Sequence, residues 1–125
     1  MNSTLKFELV AGFNNGYSGN NKDKTQQYEY ICELWQRIAK EEFDKSNIYV
    51  SAVIHPSKTV YNEFWGCPKG GEDTVTITGV ANREFVIDLA EWKDTVLKLA
   101  MILKEELAQS TMTCEFSNIE LNYLK

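Results

Sequence analysis

Residues 88–107 constrain this chain more than any other stretch. Asp88 followed three residues later by Glu91 is a helix-capping signature, with Asp in the place of the usual Ser or Thr. Behind it Trp92, Val96, Leu99, Ala100, Leu103 and Leu107 recur at helical spacing as one apolar stripe, with Lys93, Asp94, Lys98, Lys104 and Glu105 mostly outside it. Some twenty residues make a helix roughly 30 Å long. Such a stripe has to be covered by a second layer of structure.

The rest of the chain supplies that layer. Leu5, Phe7, Leu9, Ala11 and Phe13 alternate with Lys6, Glu8, Val10 and Gly12, the pattern of a half-buried strand. A turn-rich stretch, Asn14 to Lys24, follows, and Thr25 reads as the N-cap of a first helix. Ile31, Leu34, Trp35 and Ile38 form the apolar side of that helix, and Asp44-Lys45-Ser46-Asn47 ends it. Ile48 to His55 alternates as a strand that Pro56-Ser57-Lys58 breaks. Thr59 to Trp65 and Thr74 to Val80 read as two arms of a hairpin, with extended character resuming at Phe85-Val86-Ile87. Thr111 to Phe116 is a final strand, and the slip in apolar parity before Ile119 predicts a bulge at Ser117-Asn118.

Strands that alternate, rather than running solidly apolar, favour an antiparallel sheet with one covered face. The expected fold is α+β: a ferredoxin-like two-layer sandwich of residues 1–125 as one domain, an extra strand in the sheet and both helices on one face. The off-core strand positions include Val10, Tyr49, Val53, Tyr61 and Trp65, too apolar a set for a face left in water. A homodimer or higher oligomer is therefore expected. The Phe7–Phe13 strand, the Trp35 helix and Leu107-Ala108-Gln109 before the last strand resemble a family of small bacterial ferredoxin-like domains of unknown function. The resemblance implies the fold and no activity.

Composition narrows the function. With 125 residues and 43% hydrophobic content the chain can hold a core without staples. It has no apolar run long enough for a membrane span and no basic-then-apolar leader, so no membrane partner is expected. Three cysteines without metal-like spacing point to a reducing compartment, and the cytoplasm is the expected location. A net charge of −5 argues against binding long nucleic acid. With one histidine and isolated cysteines, no metal or other cofactor is expected.

Chemistry-bearing residues concentrate in Phe64-Trp65-Gly66-Cys67-Pro68-Lys69-Gly70-Gly71-Glu72, a turn that displays side chains and backbone amides. Trp65 can stack on a planar base, Cys67 is the most reactive-looking thiol, and Lys69-Gly70-Gly71 can form an anion-binding nest. Asn14-Asn15-Gly16-Tyr17 is a similar amide-bearing turn, and Arg83 can fork onto a phosphate. A catalytic Cys67 needs a base, and sequence does not place the lone His55 beside it. The expected ligand-binding set is thus Asn14, Asn15, Tyr17, Trp65, Cys67, Lys69, Gly70 and Arg83, with no catalytic residue assigned.

These groups suit holding a planar, anionic small molecule, a nucleotide or nucleotide-derived signal, better than breaking bonds. The leading expectation is a non-enzymatic binding protein. A phage or prophage counter-defence sponge that sequesters a cyclic nucleotide or cyclic ADP-ribose type of signal fits its size and acidity. The rivals are a small enzyme centred on Cys67 or His55 and a protein-interaction or inhibitor module using the open sheet face.

Overall fold

The computed structural model describes residues 2–12 and 24–125. The elements run β1 (Ser3–Gly12), α1 (Lys24–Ser46), β2 (Val53–Thr59), β3 (Glu72–Val80), α2 (Leu89–Glu106) and β4 (Thr113–Glu120), with a short 3-10 turn at Glu63–Trp65. The four strands form one antiparallel sheet in the order β2-β3-β1-β4. Both helices pack on one face of it, the ferredoxin-like sandwich expected.

The sheet face is set by strand parity. Phe7, Leu9, Ala11, Val75 and Ile77 point at the helices and are buried with Ile31, Leu34, Trp35 and Ile38 of α1 and the whole predicted stripe of α2. Phe7 stacks on Trp35 and leans on Trp92, both with ring centroids 5.9 Å apart. A buried side chain of this size contributes roughly 1.5–3 kcal/mol, so packing of the stripe dominates the stability of α2. Its start is capped as predicted: the Asp88 carboxylate accepts from the Ala90 and Glu91 amides at 2.9 and 3.2 Å. α1 ends where expected, with Asn47 in the left-handed region at φ 66°. The helix already includes Lys24, so Thr25 sits inside it and is not the cap.

Pro56 does not break a strand. It lies inside β2, paired opposite Val75, because β2 is the outer strand of the sheet, where a missing N–H on the free side leaves no ladder bond unmade. The stretch 48–52 is not a strand, since its polar groups are used elsewhere: the Val50 carbonyl accepts from the Trp35 indole at 3.1 Å. The two extended stretches around Pro56 therefore contribute a single strand, and among the described residues the sheet has four strands and no extra one. β4 pairs with β1 in unbroken register from Thr113 to Glu120, so the bulge expected at Ser117-Asn118 is not formed. Phe85 and Ile87 belong to an exposed turn held by Asn82, not to a continuing strand.

The open face is more polar than expected. Lys6 and Glu8 of β1, Thr74, Thr76 and Thr78 of β3, and Ser57 and Thr59 of β2 share it by register. Val10 and Val53 do lie there, but Tyr49 precedes β2 and Tyr61 and Trp65 follow it. The exposed aromatic surface is at the ends of the sheet.

Candidate functional site

One end of the sheet gathers the polar groups. There β1 ends at Gly12, α1 begins at Lys24, β2 ends at Thr59, β3 begins at Glu72 and α2 ends at Glu106. Asp73 is held between Lys58 at 3.0 Å and Lys24 at 3.3 Å, tying β3 to β2 and to the first turn of α1. Hydrogen bonding from Lys58 and then Lys24 holds the Asp73 carboxyl below the usual carboxylate range. On the open face the Ser57 hydroxyl bridges Thr74 at 2.8 Å and Thr76 at 2.9 Å, and Thr59 donates to Thr74 at 3.2 Å. Gln109, just past α2, accepts from the Gly12 amide at 3.2 Å and donates to the Leu107 carbonyl. A side chain at residue 12 would meet the Gln109 oxygen at 2.7 Å, so glycine there permits the contact.

The connection 60–71 folds against this end. Asn62 caps the 3-10 turn by accepting from the Phe64 amide at 2.9 Å. Cys67 is buried and acts as the hub: its sulfur accepts from the Tyr61 amide at 3.5 Å and its thiol faces the carbonyls of Pro68 at 3.3 Å and Thr59 at 3.9 Å. Gly71 has φ 104° and lies against the Thr59 carbonyl, 3.2 Å from where a Cβ would sit, so both conformation and space exclude a side chain. This packing sets the Tyr61 phenol beside the Glu72 carboxylate. Partial burial and then the Glu72 charge raise the Tyr61 pKa above its ordinary value. The pair presents an aromatic face, a hydroxyl and a negative charge together. Those groups suit a cation or an ammonium donor.

The sequence-based set divides. Trp65, Cys67, Lys69 and Gly70 share the 60–71 connection. Trp65 is exposed and free to stack, whereas Cys67 is an internal strut, not a displayed thiol. The expected nest is half used up, because the Gly71 amide donates to the Pro68 carbonyl at 2.9 Å. Arg83 is not with them: it lies past the far end of β3, a strand roughly 30 Å long, and donates to the Ile87 carbonyl at 3.2 Å. His55 sits on β2 opposite Thr76, four residues before Thr59, so it is roughly 13 Å along the strand from the carbonyl that Cys67 faces. Cys67 and His55 do not form a dyad. Asn14, Asn15 and Tyr17 lie outside the described residues. The geometry adds Tyr61, Asp73, Gln109 and the Glu72 carboxylate as candidates beyond the sequence-based set. The signal for Glu72 was a carboxylate at a strand start directly after two glycines.

The cleft at this end, lined by Lys24, Tyr28, Ser57, Asp73 and Thr74 among others, encloses about 160 Å³. No group of three or more potential metal ligands occurs among the described residues, and no helix there is long and apolar enough to cross a membrane.

Comparison with known proteins adds four findings. A family model described as SAM lyase matches residues 2–125. The fold is similar to that of a phage SAM lyase in complex with S-methyl-5'-thioadenosine, with a TM-score of 0.56 and 14% identity over 98% of this chain and 93% of that one. It is also similar to a phage SAM lyase in the apo state, with a TM-score of 0.58 and 9% identity over 100% of this chain and 95% of that one. No curated protein sequence matches the chain.

Proposed function

The chain belongs to the SAM lyase family, and from that membership we propose that it binds S-adenosylmethionine and cleaves it, releasing methylthioadenosine. The observation that carries this reading is the family match across residues 2–125. Under this reading two expectations change. A family of lyases is a family of enzymes, so a non-enzymatic sponge gives way to a catalyst that destroys its ligand. The proposed ligand is adenosine-based, but its sulfonium and ammonium against one carboxylate make it a net cation, not an anion.

A lyase splits its substrate without water. In S-adenosylmethionine the sulfonium is already a good leaving group, and the carboxylate of the same molecule can reach the carbon bonded to sulfur through a five-membered ring. A carboxylate oxygen bonds to that carbon, the carbon–sulfur bond breaks, and its electron pair stays on sulfur. The products are neutral methylthioadenosine and a cationic amino-lactone, so atoms and charge balance with no proton moved. Such a step asks the protein to fold the substrate and exclude water, not to supply an acid or base. The separation of Cys67 from His55 is consistent with that requirement.

In this reading Glu72 seats the α-ammonium group and Tyr61 covers the cation beside it. Trp65, exposed on the same 60–71 connection, offers an aromatic face for the adenine ring. The negative net charge of the chain favours a cationic substrate. A counter-defence role in the cytoplasm of an infected cell fits the phage origin of the two similar structures.

Incubation of the purified protein with S-adenosylmethionine, followed by mass spectrometry, tests the reading. Methylthioadenosine exceeding the protein by many equivalents is expected. Full recovery of intact S-adenosylmethionine would overturn it and restore the binding-protein alternative.

A further inference from the structure

Four side-chain hydroxyls on the open sheet face are bonded to one another: Thr76 donates to Ser57 at 2.9 Å, Ser57 and Thr74 share a bond of 2.8 Å, and Thr59 donates to Thr74 at 3.2 Å. Ser57 is paired directly opposite Thr74, so that bond is a cross-strand rung, and the other two run diagonally to the neighbouring rows. Thr74 is the junction, and it is only 4% exposed although it lies on the open side. At that depth its hydroxyl depends on Ser57 and Thr59 rather than on water.

The network ends where the candidate site begins. Thr59 closes β2 and is paired opposite Glu72, which opens β3. β2 is an outer strand, so backbone pairing holds Thr59 from one side, and strand ends of this kind fray first. The 60–71 connection hangs on this residue: the Cys67 thiol faces the Thr59 carbonyl at 3.9 Å, a Cβ on Gly71 would stand 3.2 Å from the same oxygen, and Tyr61 follows two residues later. We propose that Thr74 is a positioning residue for the Tyr61–Glu72 pair, fixing the last rung of β2 and β3 through its bonds to Ser57 and Thr59. The proposal rests on the reading of that pair as the seat of the substrate ammonium. Glu72 stands two residues before Thr74 on the same face, so freedom at the Thr59 rung passes to both members of the pair. A displacement of about 1 Å at a group that holds substrate can cost roughly 100-fold in rate. Thr78 is on the same strand and face, opposite Val53 and outside the network, and serves as the control.

The test compares wild type, Thr74→Val, Thr74→Ser, Ser57→Ala and Thr78→Val by kinetics with S-adenosylmethionine and by the pKa of the Tyr61 phenol. The phenol is followed by NMR on protein with carbon-labelled tyrosine, its signal identified by its loss in Tyr61→Phe. Burial and then the Glu72 charge raise that pKa, so a pair that has drifted apart titrates closer to the ordinary tyrosine value. Thr74→Val keeps the shape and removes the hydroxyl. It is expected to lower kcat/KM about tenfold and to shift the Tyr61 pKa down. Thr74→Ser is expected to restore both, and Thr78→Val to leave both unchanged. Ser57→Ala removes one of the two bonds to Thr74 and is expected to move both readouts in the same direction by less. It carries the test where circular dichroism shows that Thr74→Val does not fold. A lower Tm with kcat/KM and the Tyr61 pKa unchanged would overturn the proposal, since the network would then hold the fold and not the site. So would a serine variant that behaves as the valine one, or a Thr78→Val that behaves as Thr74→Val. Absence of cleavage by wild type would instead fail the lyase reading, and the titration, which needs no substrate, still decides whether Thr74 holds the pair.

Discussion

Tyr61 and Glu72 act on one another across the connection 60–71, and their coupling gives a prediction at the scale of the residue. Burial and the Glu72 charge keep the phenol protonated beyond its ordinary range. In Glu72→Gln the charge goes and the shape stays, so the Tyr61 pKa falls towards the usual value, which absorbance titration of the phenolate detects. Under the proposed function the same substitution also removes the seat for the substrate ammonium. It is expected to lower kcat/KM for methylthioadenosine release by roughly 10- to 100-fold, the worth of one charge-assisted hydrogen bond. The raised pKa also has a stability sign. The neutral phenol is favoured in the folded state, so its contribution is complete below the ordinary tyrosine value and is lost as pH rises through the raised one. From sequence Glu72 was only the end of the glycine-rich turn and Tyr61 an off-core strand position, because the thiol that brings them together looked reactive when read without its neighbours. In the fold Cys67 faces carbonyls, and its chemistry is that of a strut.

Elements that depend on local pattern were legible, and those that depend on sheet position were not. The Asp88 cap and the Trp92–Leu107 stripe belong to one helix and needed nothing else to be read. Pro56 was misread because its tolerance follows from β2 being outermost, a fact of topology rather than of the residue. Arg83 and the Trp65 turn looked close in sequence, yet β3 separates them by its full length. Two predictions belong to this scale. Gly79 lies where a Cβ would stand 2.4 Å from Phe7 and 2.5 Å from the Ser51 carbonyl, so β3 and the 47–52 segment meet only over glycine. Gly79→Ala is expected to cost about 2 kcal/mol in urea unfolding through overpacking, and an unchanged midpoint would show that the two segments are not in contact. Asp73 joins three elements, and its lowered pKa means that its contribution is present above the ordinary carboxylate pKa and lost as pH falls through the folded one. The Tm gap between wild type and Asp73→Asn is therefore expected near neutral pH, roughly that of a 1 kcal/mol change, and should vanish in acid.

For the whole molecule, one end of the sheet carries polar chemistry, the opposite end carries an apolar groove, and the face between them is hydroxyl-rich. Fold class was readable from the alternation of the strands and the two helical stripes. The cationic ligand proposed above was not, since glycines and a lysine suggest an anion until the Glu72–Tyr61 pair is seen in place. The central claim is intramolecular cleavage of S-adenosylmethionine. It is tested most directly by running the reaction in water labelled with heavy oxygen and analysing the four-carbon product. Cleavage by the substrate's own carboxylate predicts methylthioadenosine together with a product whose oxygen on the former sulfur-bearing carbon is unlabelled. Label on that carbon would mean that water attacked it, and the account of a water-free site would be wrong.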